Sequence, residues 1–295
     1  MKSFLALMKR EYLEHRGAFL YAPAVLTGLL ALFLALSFLS NRTRIVFDED
    51  VPSVLKFFEF AYLIFAAGWW LYLSAALLFY FAGAFQADRR NNAMLFWKSM
   101  PLTDFRILLS KAVAGLTQFP AMILVAVFVT GLLLALTTIV VGSVLPGMAS
   151  PAIGTLATSW MQISWFAVFY FALALLWYAP FFAWVGAIAT MVGRWAIPLA
   201  LLTPLLLVMF ENILFFGNSS DGGLVWGYLS HRMDFGFSES HVMQIGLANP
   251  QPFDAMGMSR ILLTTVDWTQ MALGLGFGLA VIYAASQYRR RRLDT

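Results

Sequence analysis

The chain has no cysteine and only three histidines, His15, His231 and His241. Without thiols there can be no disulfides, thiolate metal sites or cysteine nucleophile, and three scattered imidazoles leave little for a zinc centre. Charge is scarce as well. Asp, Glu, Lys and Arg make up 12% of the 295 residues against 61% hydrophobic residues, and the mean hydropathy is +0.78. That balance lies far outside the range of soluble domains. Catalytic signatures are missing too. There is no Gly-x-x-x-x-Gly-Lys-Ser/Thr loop to cradle a nucleotide phosphate, no His-Glu-x-x-His for zinc hydrolysis, no Gly-x-Ser-x-Gly elbow and no obvious pair of intramembrane aspartates. Lys2, Lys9, Arg10, Glu11, Glu14, His15 and Arg16 precede the first long apolar run, which does not suit a cleavable signal peptide.

What remains is a set of apolar runs, each close to the roughly 20 residues a helix needs to cross about 30 Å of hydrocarbon. Hydropathy predicts six spans, near 17–40, 58–85, 107–136, 161–190, 195–217 and 268–288. The expected fold is therefore an all-α membrane protein, with residues 1–295 forming one transmembrane domain. Lys and Arg fix its orientation. Lys2, Lys9, Arg10, Arg16, Arg89, Arg90, Lys98, Arg106, Lys111, Arg194 and Arg289 to Arg292 put 14 cations on one side, whereas Arg42, Arg44, Lys56, Arg232 and Arg260 put 5 on the other. The richer side is the expected cytoplasmic one, which holds both termini. This charge serves topology and gives no reason to expect nucleic-acid binding.

Residues 1–16 place Leu5, Met8, Tyr12 and Leu13 on one helical stripe among Lys9, Arg10, Glu14 and Arg16. An amphipathic helix on the inner leaflet and a plain extension of the first span into water both suit this pattern. The last external connection, about 218–267, opens on Gly217-Asn218-Ser219-Ser220-Asp221-Gly222-Gly223 and continues with scattered aromatics, which suits short interfacial helices. Its His231, Asp234, Glu239 and His241 have no spacing that fixes a metal geometry, and no metal site is expected.

Few ionisable groups fall inside the spans. Glu59 lies at the outer start of the second and Glu211, followed by Asn212, near the outer end of the fifth. For Glu211 a carboxylate at the headgroups and a polar contact in an outer gate both stay open. Pro120, Pro180, Pro198 and Pro204 mark bends, and the pair Pro198 and Pro204 singles out the fifth span. Glu211, Asn212, Pro198 and Pro204 are the candidate path or gate residues. The aromatic-rich second and fourth spans fit helix packing and interfacial belts better than a lined path.

The strongest polar interruption is 86–104, between the second and third spans. As a helix over about 87–100, it puts Ala93, Phe96, Trp97 and Met100 on one stripe, with Asp88, Asn91, Asn92, Lys98 and Ser99 largely elsewhere. Pro101 then stops the helix, Thr103 caps the next one, and Asp104 suits its positive end. On these residues alone, an interfacial anchor with Trp97 at the headgroups competes with a docking element.

The order of parts resembles the type-2 ABC exporter permeases (ABC-2 family). The matching features are Met8-Lys9-Arg10-Glu11-Tyr12 in an N-terminal helix, six spans, and Asp88-Arg89-Arg90 leading into Leu95-Phe96-Trp97-Lys98-Ser99-Met100-Pro101-Leu102-Thr103-Asp104 between spans two and three. The resemblance covers the layout of the whole chain and about 20 residues of motif. It implies a bacterial inner-membrane permease subunit with no ATPase domain and no cofactor of its own. A second permease subunit would pair with it, and a separate ABC ATPase, binding ATP and Mg, would dock on the cytoplasmic coupling helix. Phe96, Trp97 and Met100 would fill a groove on that ATPase, oriented by Asp88, Arg89, Arg90 and Lys98. The alternatives are an ion-coupled secondary transporter, which calls for a midplane carboxylate or broken-helix ion site, and a membrane-embedded enzyme, which calls for a nucleophile or metal constellation.

Overall fold

The computed structural model describes residues 2–39, 53–90, 103–144, 151–216, 223–236 and 251–291. Every element among them is helical. In chain order these are α1 (Lys2–Arg16), a π-turn (Gly17–Tyr21), α2 (Ala22–Leu39), α3 (Val54–Arg90), α4 (Asp104–Val144), α5 (Ile153–Val192), a 3₁₀ turn (Gly193–Trp195), α6 (Ala196–Glu211), a second π-turn (Asn212–Phe216), α7 (Leu224–Met233), α8 (Ala255–Thr265) and α9 (Trp268–Arg291). Phe96, Trp97, Lys98 and Met100 lie outside the described residues. Asp88, Arg89 and Arg90 close α3.

Side-chain caps start four of these helices. Ser53 Oγ accepts from Lys56 N at 3.1 Å, Thr103 Oγ1 from Arg106 N at 3.4 Å, Asp254 Oδ1 from Met256 N and Gly257 N at 3.1 and 3.0 Å, and Asp267 Oδ1 from Gln270 N at 3.0 Å. Each satisfies a backbone donor that the first turn leaves without an intrahelical partner. The Thr103 cap is the one the sequence predicts. At the other end of the chain, Arg289, Arg290 and Arg291 fall in the last turn of α9, where the helix dipole favours cations.

Five helical stretches are long and apolar enough to cross a membrane: 4–39, 54–87, 104–143, 153–214 and 268–291. The chain therefore has the build of a multi-pass helical membrane protein. The hydropathy spans undershoot the helices. α3, α4 and α5 contain 37, 41 and 40 residues, roughly 55–60 Å at 1.5 Å per residue, about twice the hydrocarbon thickness.

The 62-residue stretch Ile153–Leu214 is not straight. Gly193 adopts φ +65°, which ends α5, and its α-carbon faces Gln86 so closely that a Cβ would sit 3.0 Å from the amide oxygen. Beyond this turn the chain reverses: Trp184 Nε1 donates to Ala200 O at 3.1 Å, although the two residues are 16 apart. A straight helix would separate them by roughly 24 Å. Ala82, Val185, Ala189, Ala196 and Ala200 pack where the hairpin meets α3, small residues that let the backbones approach. The break between the predicted spans 161–190 and 195–217 coincides with this turn. Pro120, Pro180 and Pro204 lie inside helices. Pro198 is the third residue of α6, within the first turn, where a missing N–H costs no hydrogen bond.

α5 is the central helix, touching α3, α4, α6, α8 and α9. Tyr62, Leu73, Leu77, Phe81 and Phe85 of α3, Leu108, Phe119, Ile123 and Val127 of α4, and Ile163, Phe171 and Trp177 of α5 form much of the core. Most aromatics of α3 and α5 pack as expected, although Phe79 and Trp165 are exposed. α1 turns Leu7 and Glu11, one helical turn apart, to the bundle and leaves Leu5 and Leu13 of its apolar stripe exposed.

One close approach has a measurable consequence. The Tyr62 ring occupies the space a Cβ on Gly131 would need, and its hydroxyl lies 2.8 Å from Ser164 Oγ in full burial. Gly131→Ala gains about 1 kcal/mol of helix propensity, but the ring cannot swing away without breaking its hydrogen bond. Overpacking of about 1–3 kcal/mol should win. A melting temperature in detergent below that of the native chain is expected, and one at or above it would show that the ring yields.

Candidate functional site

Buried charge concentrates in three places, and each ties separate helices together. The first flanks residues 91–102. Glu11 of α1 and Lys111 of α4 are 3% and 2% exposed, with Lys111 Nζ 3.4 Å from Glu11 Oε1. Lys111 Nζ also donates to Ala84 O at 2.7 Å. The Tyr80 hydroxyl lies 3.0 Å from both Glu11 Oε2 and Lys111 O, and His15 packs edge-on against the Tyr80 ring at 4.8 Å. Nearby, Arg289 of α9 reaches Asp104 Oδ1 at 3.7 Å and Phe85 O at 3.5 Å. The last turns of α3 and the first of α4 are thus braced by α1 and α9. Ligand atoms of Glu11, Glu14 and His15 lie within 4.8 Å of one another, but Lys111 neutralises Glu11 and Arg10 pairs with Glu14 at 2.6 Å, so the trio is a set of ion pairs.

The second place lies at the opposite end of the bundle. Glu59 is 1% exposed; its Oε1 accepts from Ser159 Oγ at 2.7 Å and its Oε2 from Phe253 N at 3.0 Å. Lys56 Nζ stands 3.5 Å from Glu59 Oε2 and donates to Gln251 O at 2.9 Å. One buried ion pair therefore clips residues 251–253, the lead into α8, onto α3 and α5. Glu59 is a structural clamp where the sequence suggested only a carboxylate at a span boundary.

The third place is α7. Glu211 receives Leu224 N at 2.7 Å and Val225 N at 2.8 Å, one on each carboxylate oxygen. The end of α6 thereby caps the start of α7 with a negative charge at its positive pole, and Gly223 leaves the carboxylate room that a Cβ would fill. Asn212 opens the π-turn beyond Glu211. At the other end of α7, Arg232 has no solvent exposure. Its Nε donates to Tyr228 Oη at 3.2 Å, Nη1 to Trp177 O at 2.9 Å and Nη2 to Gln270 O, with the guanidinium 4.4 Å from the Trp177 ring centroid. Trp177 Nε1 returns a bond to Arg232 O at 2.8 Å.

The candidate gate residues thus separate. Glu211 and Asn212 sit where α6 hands over to α7, whereas Pro198 and Pro204 lie along α6. Sequence reading missed Glu11, Lys111 and Arg232 as a group. Lys111 and Arg232 entered only as charges in the topology count, and Glu11 only as a break before the first apolar run and in the Met8–Tyr12 match, because the partners on other helices lie 27 to 100 residues away in the chain. The geometry is mechanical: it braces the helix ends around 91–102 and clamps short helices over the far end. No family model, curated protein or solved structure matches the chain.

Proposed function

We propose that the chain is the permease subunit of an ATP-driven exporter of the ABC-2 type. In this reading it has six spans and sits in a bacterial inner membrane with both termini in the cytoplasm. It pairs with a second permease subunit, and a separate ABC ATPase holding ATP and Mg docks on residues 88–104. The observation that carries the reading is the bracing of α3 and α4. The two long helices that lead into and out of 91–102 are locked to α1 through Glu11 and Lys111, and to α9 through Arg289 and Asp104. A push on the segment between them would move a stiff four-helix unit rather than a loose loop, as a force-receiving element requires. The helix α8, whose lead-in is clamped at the opposite end, suits an outer closure of the path.

Phe96→Ala with Trp97→Ala should weaken co-purification of the cognate ABC ATPase by about 30-fold or more, since losing even one buried aromatic anchor costs about 2 kcal/mol. Membrane insertion should be intact. Equal recovery of the ATPase with the native and doubly substituted chains would sink the docking assignment.

A further inference from the structure

Arg232 is an anomaly that the docking reading does not use. A buried cation in a membrane protein normally faces a carboxylate. Here the acceptors are two backbone carbonyls on different helices and one phenol, with an aromatic face beneath, and no carboxylate lies within ion-pair distance among the described residues. Its depth is equally unusual. Trp177 lies 16 residues before Gly193 and 18 after Ser159, so Arg232 meets α5 about 24 Å from the hairpin turn and 27 Å from the Glu59 clamp. Arg232 is thus plugged into the middle of the bundle.

The rest of α7 is peripheral. Leu224, Trp226, Tyr228 and Met233 are all more than 40% exposed, and the helix lies against α6. Only its C-terminal residues reach inward: Arg232, and Phe235 just beyond, which packs 5.6 Å from the Trp177 ring. The receiving site is shaped for the guanidinium. Pro180 of α5 cannot donate to Leu176 O in the preceding turn, and Arg232 supplies an N–H to the next carbonyl along, Trp177 O. On α9, Gly274 leaves the space that Nη2 fills, and a Cβ there would collide with it.

We infer that α7 is a latch. It is hinged on the Glu211 cap and bolted by Arg232 between α5 beside Pro180 and the Gly274 notch of α9, so that α7 is released by withdrawing one guanidinium. Carbonyl and phenol acceptors suit a releasable bolt, because the cation finds equivalent partners in water on leaving, whereas a buried carboxylate left behind would hold the closed state. The inference takes from the transport reading only the idea that a path beside α7 must open, and its test involves no ATPase.

The full chain in lipid nanodiscs is compared by amide hydrogen exchange as the native protein and as Arg232→Gln, Arg232→Lys and Gly274→Ala. Arg232→Gln should speed exchange at 225–233 by about tenfold or more, the loss expected when buried charge-assisted hydrogen bonds go, while 119–134 of α4 keeps native protection. Arg232→Lys should fall between, since a single ammonium cannot span two helices as the planar fork does. Gly274→Ala, which improves the helix propensity of α9, should loosen the same nine residues and serves if Arg232→Gln fails to insert. Unchanged protection at 225–233 would overturn the latch. So would equal loosening of α4 and α5, which would make Arg232 a general core residue. A selective response together with an ATPase that ignores Phe96 and Trp97 would keep the latch and discard the exporter.

Discussion

Glu59→Ala is expected to destabilise the folded chain by about 3–5 kcal/mol, the usual cost of removing one partner from a buried ion pair. The substitution leaves three groups stranded. Lys56, itself 3% exposed, loses its carboxylate; Ser159 Oγ loses its acceptor at 2.7 Å; and Phe253 N loses the oxygen that terminates it at 3.0 Å. Because Phe253 stands just before the Asp254 cap of α8, the damage should spread to the start of that helix. Glu59→Gln keeps an acceptor for Ser159 but neutralises the partner of Lys56, and should cost less. Replacing the ammonium as well, in Lys56→Met with Glu59→Gln, should recover part of the loss, since no buried cation is then uncompensated. Thermal or denaturant unfolding in detergent reads all three. If Glu59→Ala melts with the native chain, the carboxylate is not clamping 251–253. The exposed surface of α2 offers an internal control: Leu32→Ala should have little effect in the same assay.

The sequence showed the build of this molecule more clearly than its fastenings, for a physical reason. Apolar runs report where lipid or core will surround a helix, so five crossing stretches and the break at Gly193 can be read directly. The same signal fades where a helix leaves the apolar layer. α4 begins at Asp104 and carries Arg106 and Lys111 in its first turns, residues that lower hydropathy without disturbing helical hydrogen bonding, so the predicted span starts three residues late. α3 is undershot in the same way, and α5 is undershot where Gly154, Thr155, Thr158 and Ser159 lower the hydropathy. The N-terminal helix is legible as a helix, but the face it turns to the bundle is not, because only the approach of Lys111 and Tyr80 from two other helices makes Glu11 a core residue. Arg232 is the extreme case. A count of loop charges assigns it to one side of the membrane, and its carbonyl partners leave no trace in side-chain identity at all. Glu211 was noticed because it interrupts an apolar run, but its role depends on backbone N–H groups 13 and 14 residues downstream, a pairing that only the fold creates. The docking stripe of Phe96, Trp97 and Met100 still rests on helical periodicity.

The bracing of α1 predicts the second large effect. Lys111→Met should cost about 3–5 kcal/mol, because it leaves the Glu11 carboxylate at 3% exposure with its cation gone and removes the donor to Ala84 O. Tyr80 still offers its hydroxyl to Glu11 at 3.0 Å and His15 Nε2 stands 3.9 Å from it, but a neutral hydrogen bond and a partly exposed imidazole replace the buried ammonium at 3.4 Å only in part. Glu11→Gln alone leaves the ammonium of Lys111 buried beside Ala84 O and should cost a similar amount. The double substitution separates this account from simple loss of packing. With both charges gone, the introduced amide and thioether side chains fill nearly the original volume, and the doubly substituted chain should lie closer to the native one than either single variant. The expected coupling is on the order of 1–3 kcal/mol in a double-mutant cycle. Strict additivity would mean that the two residues stabilise the bundle independently, and α1 would lose its claim to brace α4. The cycle also bears on the transmission proposed for 91–102. If α1 is held to α4 by this pair, single variants should loosen the first turns of α4 before its middle, a gradient that hydrogen exchange along 104–127 would resolve. If the whole helix loosens together, α4 moves as one body and a push at its end is carried through it without help from α1.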